Sequence, residues 1–124
     1  MNMHRGVIAV VEDDHSLKLA VNRLLMAAGF DVRTFDTAEA LLASSRMEEI
    51  VCVVTDIELP GMSGLELCYK LREQGLHASC VLITAYDDNE HRSAAMSIGA
   101  SAFLTKPFSS ITFIEAVMHS IPEI

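Results

Sequence analysis

Two kinds of hydrophobic pattern alternate along the chain. Short runs are apolar on consecutive residues, and longer runs are apolar at three-to-four spacing. The first kind predicts strands and the second helices. Val7-Ile8-Ala9-Val10-Val11 is the first strand; residues 50–55, Cys80-Val81-Leu82-Ile83 and Ala102-Phe103-Leu104 are the third, fourth and fifth. Strands apolar on every residue belong to a sheet covered on both faces. Residues 30–35 differ: Phe30, Val32 and Thr34 alternate against Asp31, Arg33 and Phe35, the pattern of an edge strand.

Between the strands lie the helical stretches. Leu17, Val21, Leu24, Leu25 and Ala28 form one stripe, with Asp14 as an N-cap and Gly29 as a stop. Asp36-Thr37-Ala38-Glu39 opens a short helix with the spacing of a capping box. A third helix starts at Gly64, carries Leu65, Leu67, Cys68 and Leu71, and ends at Gly75. A fourth begins around Asp88 and ends at Gly99, and Ser109 caps a fifth that runs through Val117. Five strand–helix pairs predict an α/β fold, a parallel sheet between two helical layers with right-handed crossovers.

Composition narrows the picture. The 124 residues fit one domain, 1–124, with no linker, repeat or low-complexity segment. At 51% hydrophobic and 21% charged the chain is expected to be well packed rather than disordered. A net charge of -8 opposes direct binding to nucleic-acid phosphates or anionic membranes, and it suits a protein that gathers carboxylates around a cation. The N-terminal apolar run is too short for a signal segment, and no stretch approaches the ~20 apolar residues of a membrane span. Cys52, Cys68 and Cys80 fit neither a disulfide framework nor a zinc site; they read as reduced core residues of a cytoplasmic protein. His4, His15, His77, His91 and His119 lack metal-ligand spacing and read as surface residues, and the seven methionines as core filler.

The chemistry lies where polar residues meet strand ends. Glu12 and Asp13 follow strand one, Asp56 follows strand three, Thr84 follows strand four, and Lys106 follows strand five. In an open parallel sheet the binding crevice lies beyond the carboxyl ends of the strands. Residues distant in sequence would thus converge. Each has a plain structural reading: an acidic pair in a solvated turn, an aspartate before a Pro-Gly loop, a strand-end threonine, a surface lysine. Their coincidence at one sheet edge favours a site. Three clustered carboxylates stay ionised together only beside a cation. Magnesium suits oxygen ligands and phosphate chemistry. Asp56 could then act as a nucleophile forming an aspartyl phosphate, with Lys106 and the Thr84 hydroxyl on the phosphoryl oxygens.

At these residues the chain resembles the receiver domains of two-component response regulators. The matching stretches are Val10-Val11-Glu12-Asp13-Asp14, Val53-Val54-Thr55-Asp56-Ile57-Glu58-Leu59-Pro60-Gly61-Met62-Ser63-Gly64, Leu82-Ile83-Thr84-Ala85 and Gly99-Ala100-Ser101-Ala102-Phe103-Leu104-Thr105-Lys106-Pro107-Phe108. The likeness covers essentially the whole chain and is nearest to receivers of DNA-binding regulators of the nitrogen-fixation and nitrate type. It implies a flavodoxin-like three-layer sandwich with five strands in order 2-1-3-4-5 and five helices. It implies that Asp56 takes a phosphoryl group from a histidine kinase or phosphotransfer protein. The metal, magnesium with manganese as a substitute, would be held by Glu12, Asp13, Asp56 and the Glu58 backbone carbonyl. Thr84 and Phe103 would be a switch pair, Lys106-Pro107 a cis peptide, and the face of helix 4, strand 5 and helix 5 a homodimer or partner surface. The chain would catalyse only its own phosphorylation and dephosphorylation.

Three residues depart from the family's commoner pattern. Glu12 is longer than the usual aspartate, Glu58 places an acid two residues beyond Asp56, and Tyr86 is bulky two residues beyond Thr84. Glu58 and Tyr86 together are expected to tune the phosphoryl lifetime. Three other readings compete. A phosphatase of the haloacid dehalogenase type also needs a second acid two residues after its nucleophile, but usually adds a cap for which this chain has no room. A pseudo-receiver would lack the intact acid, Asp56, Thr84 and Lys106 set. A flavin carrier needs a Ser/Thr/Gly-rich phosphate loop after strand one.

Overall fold

A computed structural model describes residues 6–121. Five strands, β1 (Val7–Val11), β2 (Asp31–Phe35), β3 (Ile50–Asp56), β4 (Ser79–Thr84) and β5 (Ala102–Thr105), form one parallel sheet in the order β2-β1-β3-β4-β5. The helices are α1 (His15–Ala27), α2 (Ala38–Leu42), α3 (Gly64–Glu73), α4 (Asn89–Ser97) and α5 (Ser110–Ser120). The flavodoxin-like arrangement expected from the motifs is therefore the one observed.

The sheet separates two apolar layers, and strand alternation assigns residues to each. Ala9, Val11, Val53, Cys80 and Leu82 face Leu41 of α2, Leu67, Cys68 and Leu71 of α3, and Ala95 of α4. Their neighbours Ile8, Val10, Cys52, Val54, Val81 and Ile83 face Val21 and Leu25 of α1 and Phe113 and Val117 of α5. All of β1 and the first five residues of β3 can thus be apolar because both sides of the sheet are roofed. β2 is an edge strand with no fully buried residue, as its alternation predicts.

Each helix opens on a side-chain cap. Asp14, Thr37, Ser63, Asp88 and Ser109 accept from the backbone N–H three residues on, which satisfies a donor that the first turn leaves free. Gly29, Gly75 and Gly99 follow α1, α3 and α4 with positive φ, where a side chain would be strained. No helix among the described residues is long and apolar enough to cross a membrane.

Some expectations are corrected. The capping box at α2 does not form. Thr37 caps the helix, Asp36 pairs with Lys18, and the Glu39 carboxylate reaches across to the Met62 N–H. Phe30 precedes β2 instead of opening it, and α5 continues to Ser120. A 3-10 turn at Met47–Glu49, before β3, has no periodicity to announce it. Met1 and Met3 lie outside the described residues, and the described methionines do not fill the core. Met26, Met96 and Met118 are exposed, while Met47 and Met62 pack only at its margin. All three cysteines are buried and free, as expected. His4 lies outside the described residues; His15, His77 and His119 are exposed, but His91 is half-buried and ion-paired.

Candidate functional site

Strand register brings the polar residues to one edge. Asp56 is the last residue of β3 and Thr84 the last of β4; Glu12 and Asp13 follow β1, and Lys106 follows β5. The chain is pinned on leaving the sheet. The Glu12 N–H donates to the Phe35 carbonyl, Ile57 to Ile83, and Lys106 to Thr84, each at about the length of a sheet hydrogen bond. The Lys106–Pro107 peptide is cis. The backbone itself therefore sets the positions of the site side chains.

Asp56 and Glu12 are each only 4% exposed, and Thr84 is fully buried. One carboxylate oxygen from each of Glu12, Asp13 and Asp56 lies within 4.8 Å of the others. Lys106 Nζ donates to Asp56 Oδ2 at 2.5 Å and lies 3.5 Å from Glu12 Oε1. The other Asp56 oxygen accepts from the Glu58 N–H at 3.2 Å. Burial pushes the Glu12 carboxyl up to about 7, with the Asp56 charge adding to it and the Asp14 N–H opposing it. At Lys106 burial works against the charge, yet the Asp56 hydrogen bond and the two acids outweigh it, so the ammonium is held more tightly than in a free lysine.

One ammonium thus faces three acids, one of which is pushed toward neutrality. The donor set is all oxygen and carries excess negative charge, which fits a hard divalent cation. Among the described residues these three form the one acidic cluster close enough to hold a metal. Gly64 contributes through what it lacks: a β-carbon there would lie 2.2 Å from the Asp56 carbonyl oxygen. The turn from β3 into α3 passes this close only because residue 64 has no side chain.

Thr84 faces the site, but its hydroxyl is engaged elsewhere. It donates to Glu58 Oε2 at 2.7 Å and accepts from the Tyr86 N–H at 3.0 Å. The second Glu58 oxygen takes the Ala85 N–H. His91 Nε2 is 3.3 Å from Glu58 Oε2, and His91 Nδ1 is 2.7 Å from Asp88 Oδ1. The Asp88 hydrogen bond and the charges of Asp88, Glu58 and Glu90 raise the His91 pKa against the cost of burial. Tyr86, 60% exposed, stacks on the His91 ring. Phe103 is half-buried, with the Arg92 guanidinium 4.9 Å above its ring, and Arg92 also pairs with Asp87.

Asp56, Glu12, Asp13 and Lys106 are brought together as the strand-end pattern predicts. Thr84 is adjacent but turned to Glu58, and Phe103 lies beside α4. In the sequence, Asp88 reads only as a helix start and His91 as a surface residue, and Asp87 and Arg92 stand out for nothing. Two acids followed by two basic groups within one helical turn were the available signal.

Residues 8–118 match the family described as the response regulator receiver domain. The transcriptional regulatory protein FixJ of Azorhizobium caulinodans is 34% identical over 114 residues, which cover 92% of this chain and 54% of that protein. The DNA-binding transcriptional regulator NtrC of Salmonella typhimurium is 32% identical over 119 residues, covering 96% of this chain and 25% of that protein. The solved structure of FixJ-N superposes with a TM-score of 0.84 at 30% identity, over 95% of this chain and 94% of that one. The chain belongs to the response regulator receiver family of two-component systems. It spans about half the length of the FixJ regulator, 54%, and a smaller share of NtrC. Receiver domains bind a divalent metal at an acidic cluster, and in this chain Glu12, Asp13 and Asp56 lie close together.

Proposed function

We propose that this chain is a magnesium-dependent phosphoacceptor, charged on Asp56 by the phosphohistidine of a histidine kinase or phosphotransfer protein. The observation that carries the reading is the contact of Lys106 with Asp56 beside Glu12 and Asp13, four groups delivered by three separate strands. An Asp56 carboxylate oxygen attacks phosphorus as the donor's P–N bond breaks. The bonding pair leaves with the imidazole, which is then protonated. Lys106 shifts from the carboxylate to the phosphoryl oxygens, where a mobile ammonium serves as a point charge. Glu12, Asp13, Asp56 and the Glu58 backbone carbonyl would hold the magnesium or manganese ion, which when bound supplies positive charge against the transferring group.

The Thr84 hydroxyl exchanges Glu58 for the phosphoryl group, and the Phe103 ring turns inward. This alters the face formed by α4, β5 and α5, through which a second copy or a partner binds. Such a change follows from differential affinity for two states. The chain catalyses only its own phosphorylation and dephosphorylation. Glu58 is taken up by Thr84, Ala85 and His91, which argues against its service as a phosphatase acid. Kinship with transcriptional regulators supports an output on DNA through other parts of a regulator, in the cytoplasm, with this acidic chain making no nucleic-acid contact itself.

Intact mass after incubation with acetyl phosphate tests the reading. One magnesium-dependent phosphate on the native chain and none on Asp56→Asn is expected. Phosphate on the variant, or none on the native chain with a fluoroberyllate control also silent, would sink it.

A further inference from the structure

Two neighbouring residues of α4 each hold one member of the switch pair. His91 reaches Glu58, which accepts the Thr84 hydroxyl. Arg92 lies over the Phe103 ring. Both are braced by the loop that precedes the helix: Asp88 takes the His91 ring nitrogen at 2.7 Å, and Asp87 takes Arg92 Nε at 2.5 Å. Tyr86 lies against His91 from the same loop and donates its N–H to Thr84. The strand ends that carry the pair are neighbours, since Leu82 is in register with Phe103 and Thr84 with Thr105.

We propose that the first turn of α4 is a latch that holds both switch residues in the resting arrangement, His91 through Glu58 on Thr84 and Arg92 directly on Phe103. The inference rests on the phosphoacceptor reading and adds the device that sets its threshold. A buried hydroxyl has one proton to donate. While Glu58 accepts it, the hydroxyl is not offered to a phosphoryl group. His91 keeps Glu58 in place by presenting one ring nitrogen to it and the other to Asp88. Arg92 keeps the Phe103 ring occupied on its outer side by a cation–π contact. Phosphorylation must break both holds, so α4 is released by the same event that recruits Thr84. His91 and Arg92 are positioning residues, because neither touches the acidic cluster.

The sign of the effect separates this from simple electrostatics. Deleting a cation near an anion-binding site weakens anion binding by charge alone. Deleting a latch raises the share of the competent state and tightens binding by that factor. The measurement is the affinity of the native full chain for fluoroberyllate in saturating magnesium, read from backbone amide spectra that also report folding. His91→Ala and Arg92→Ala should each tighten binding about threefold, the scale of a half-exposed ion pair or cation–π contact, and about tenfold together. In a Glu58→Ala background His91→Ala should add nothing, whereas Arg92→Ala should keep its gain. Weaker or unchanged binding in folded single variants overturns the latch. So does a His91→Ala gain that survives intact without Glu58. Failure of the native chain to bind fluoroberyllate at all overturns the phosphoacceptor reading, and the latch with it.

Discussion

Lys106 bridges Asp56 and Glu12, its ammonium 2.5 Å from the first and 3.5 Å from the second, so one cation from the end of β5 joins the acids of β3 and β1. The bridge links three strands that are not consecutive in the chain. Replacing it with an uncharged residue of similar length isolates its charge. Lys106→Met should lower the stability of the metal-free protein by about 1–2 kcal/mol, below the cost of breaking a fully buried pair because the lysine is partly exposed. Saturating magnesium should recover most of that loss. Urea unfolding with EDTA and with magnesium checks both halves; equal losses in the two conditions would refute the bridging role.

Glu12 makes the site sensitive to pH. Its folded pKa, pushed to about 7 by burial, lies above its unfolded value near 4.5. Between these values the folded state holds more protons, so the contribution of Glu12 to metal-free stability falls as pH rises from about 4.5 to about 7 and is flat above. Magnesium competes with that proton, so its affinity should climb through the same window. Calorimetric titration at several pH values should show the climb in the native chain and a flatter profile in Glu12→Gln.

Gly64 is expected to tolerate no side chain. A β-carbon 2.2 Å from the Asp56 carbonyl oxygen forces the start of α3 away from β3. Gly64→Ala should cost about 1–3 kcal/mol by overpacking and slow phosphorylation by acetyl phosphate. Gly75→Ala is the control: open space surrounds it, but its positive φ adds strain, so it should lose stability with little change in the phosphorylation rate of the folded protein.

Glu39 ties the loop after β3 to α2 through the Met62 N–H at 3.0 Å. Glu39→Ala should leave the fold intact and raise hydrogen exchange at the Met62 amide by about tenfold, the scale of a charge-assisted hydrogen bond. Unchanged exchange would show that the loop holds itself.

Most of the architecture could be read from the chain. Unbroken apolar runs such as Val7 to Val11 mark strands roofed on both sides, and Gly29, Gly75 and Gly99 mark helix ends that need a positive φ. The acid–lysine site was legible for the same reason, since each member stands next to a strand end and parallel strands share one edge. What escaped was decided by competition in space. Asp36 and Glu39 have capping-box spacing, but Lys18 and Met62 draw them off and leave the cap to Thr37. The local acid–base run hints at the His91–Asp88 pair, but not at Glu58, which comes from the loop after another strand. Met26, Met96 and Met118 were misassigned because side-chain flexibility suits a surface as readily as a core.

No two of the strands that carry Glu12, Asp56 and Lys106 follow one another along the chain, yet their side chains meet within a few ångströms. No peptide cut from this sequence can therefore keep the site. If Asp56 takes a phosphate as proposed, that competence would report on the integrity of the whole sheet: a molecule whose β5 has frayed would lose its lysine before its core. A signal relayed through Asp56 would in this sense be self-certifying, because only a folded copy would carry it.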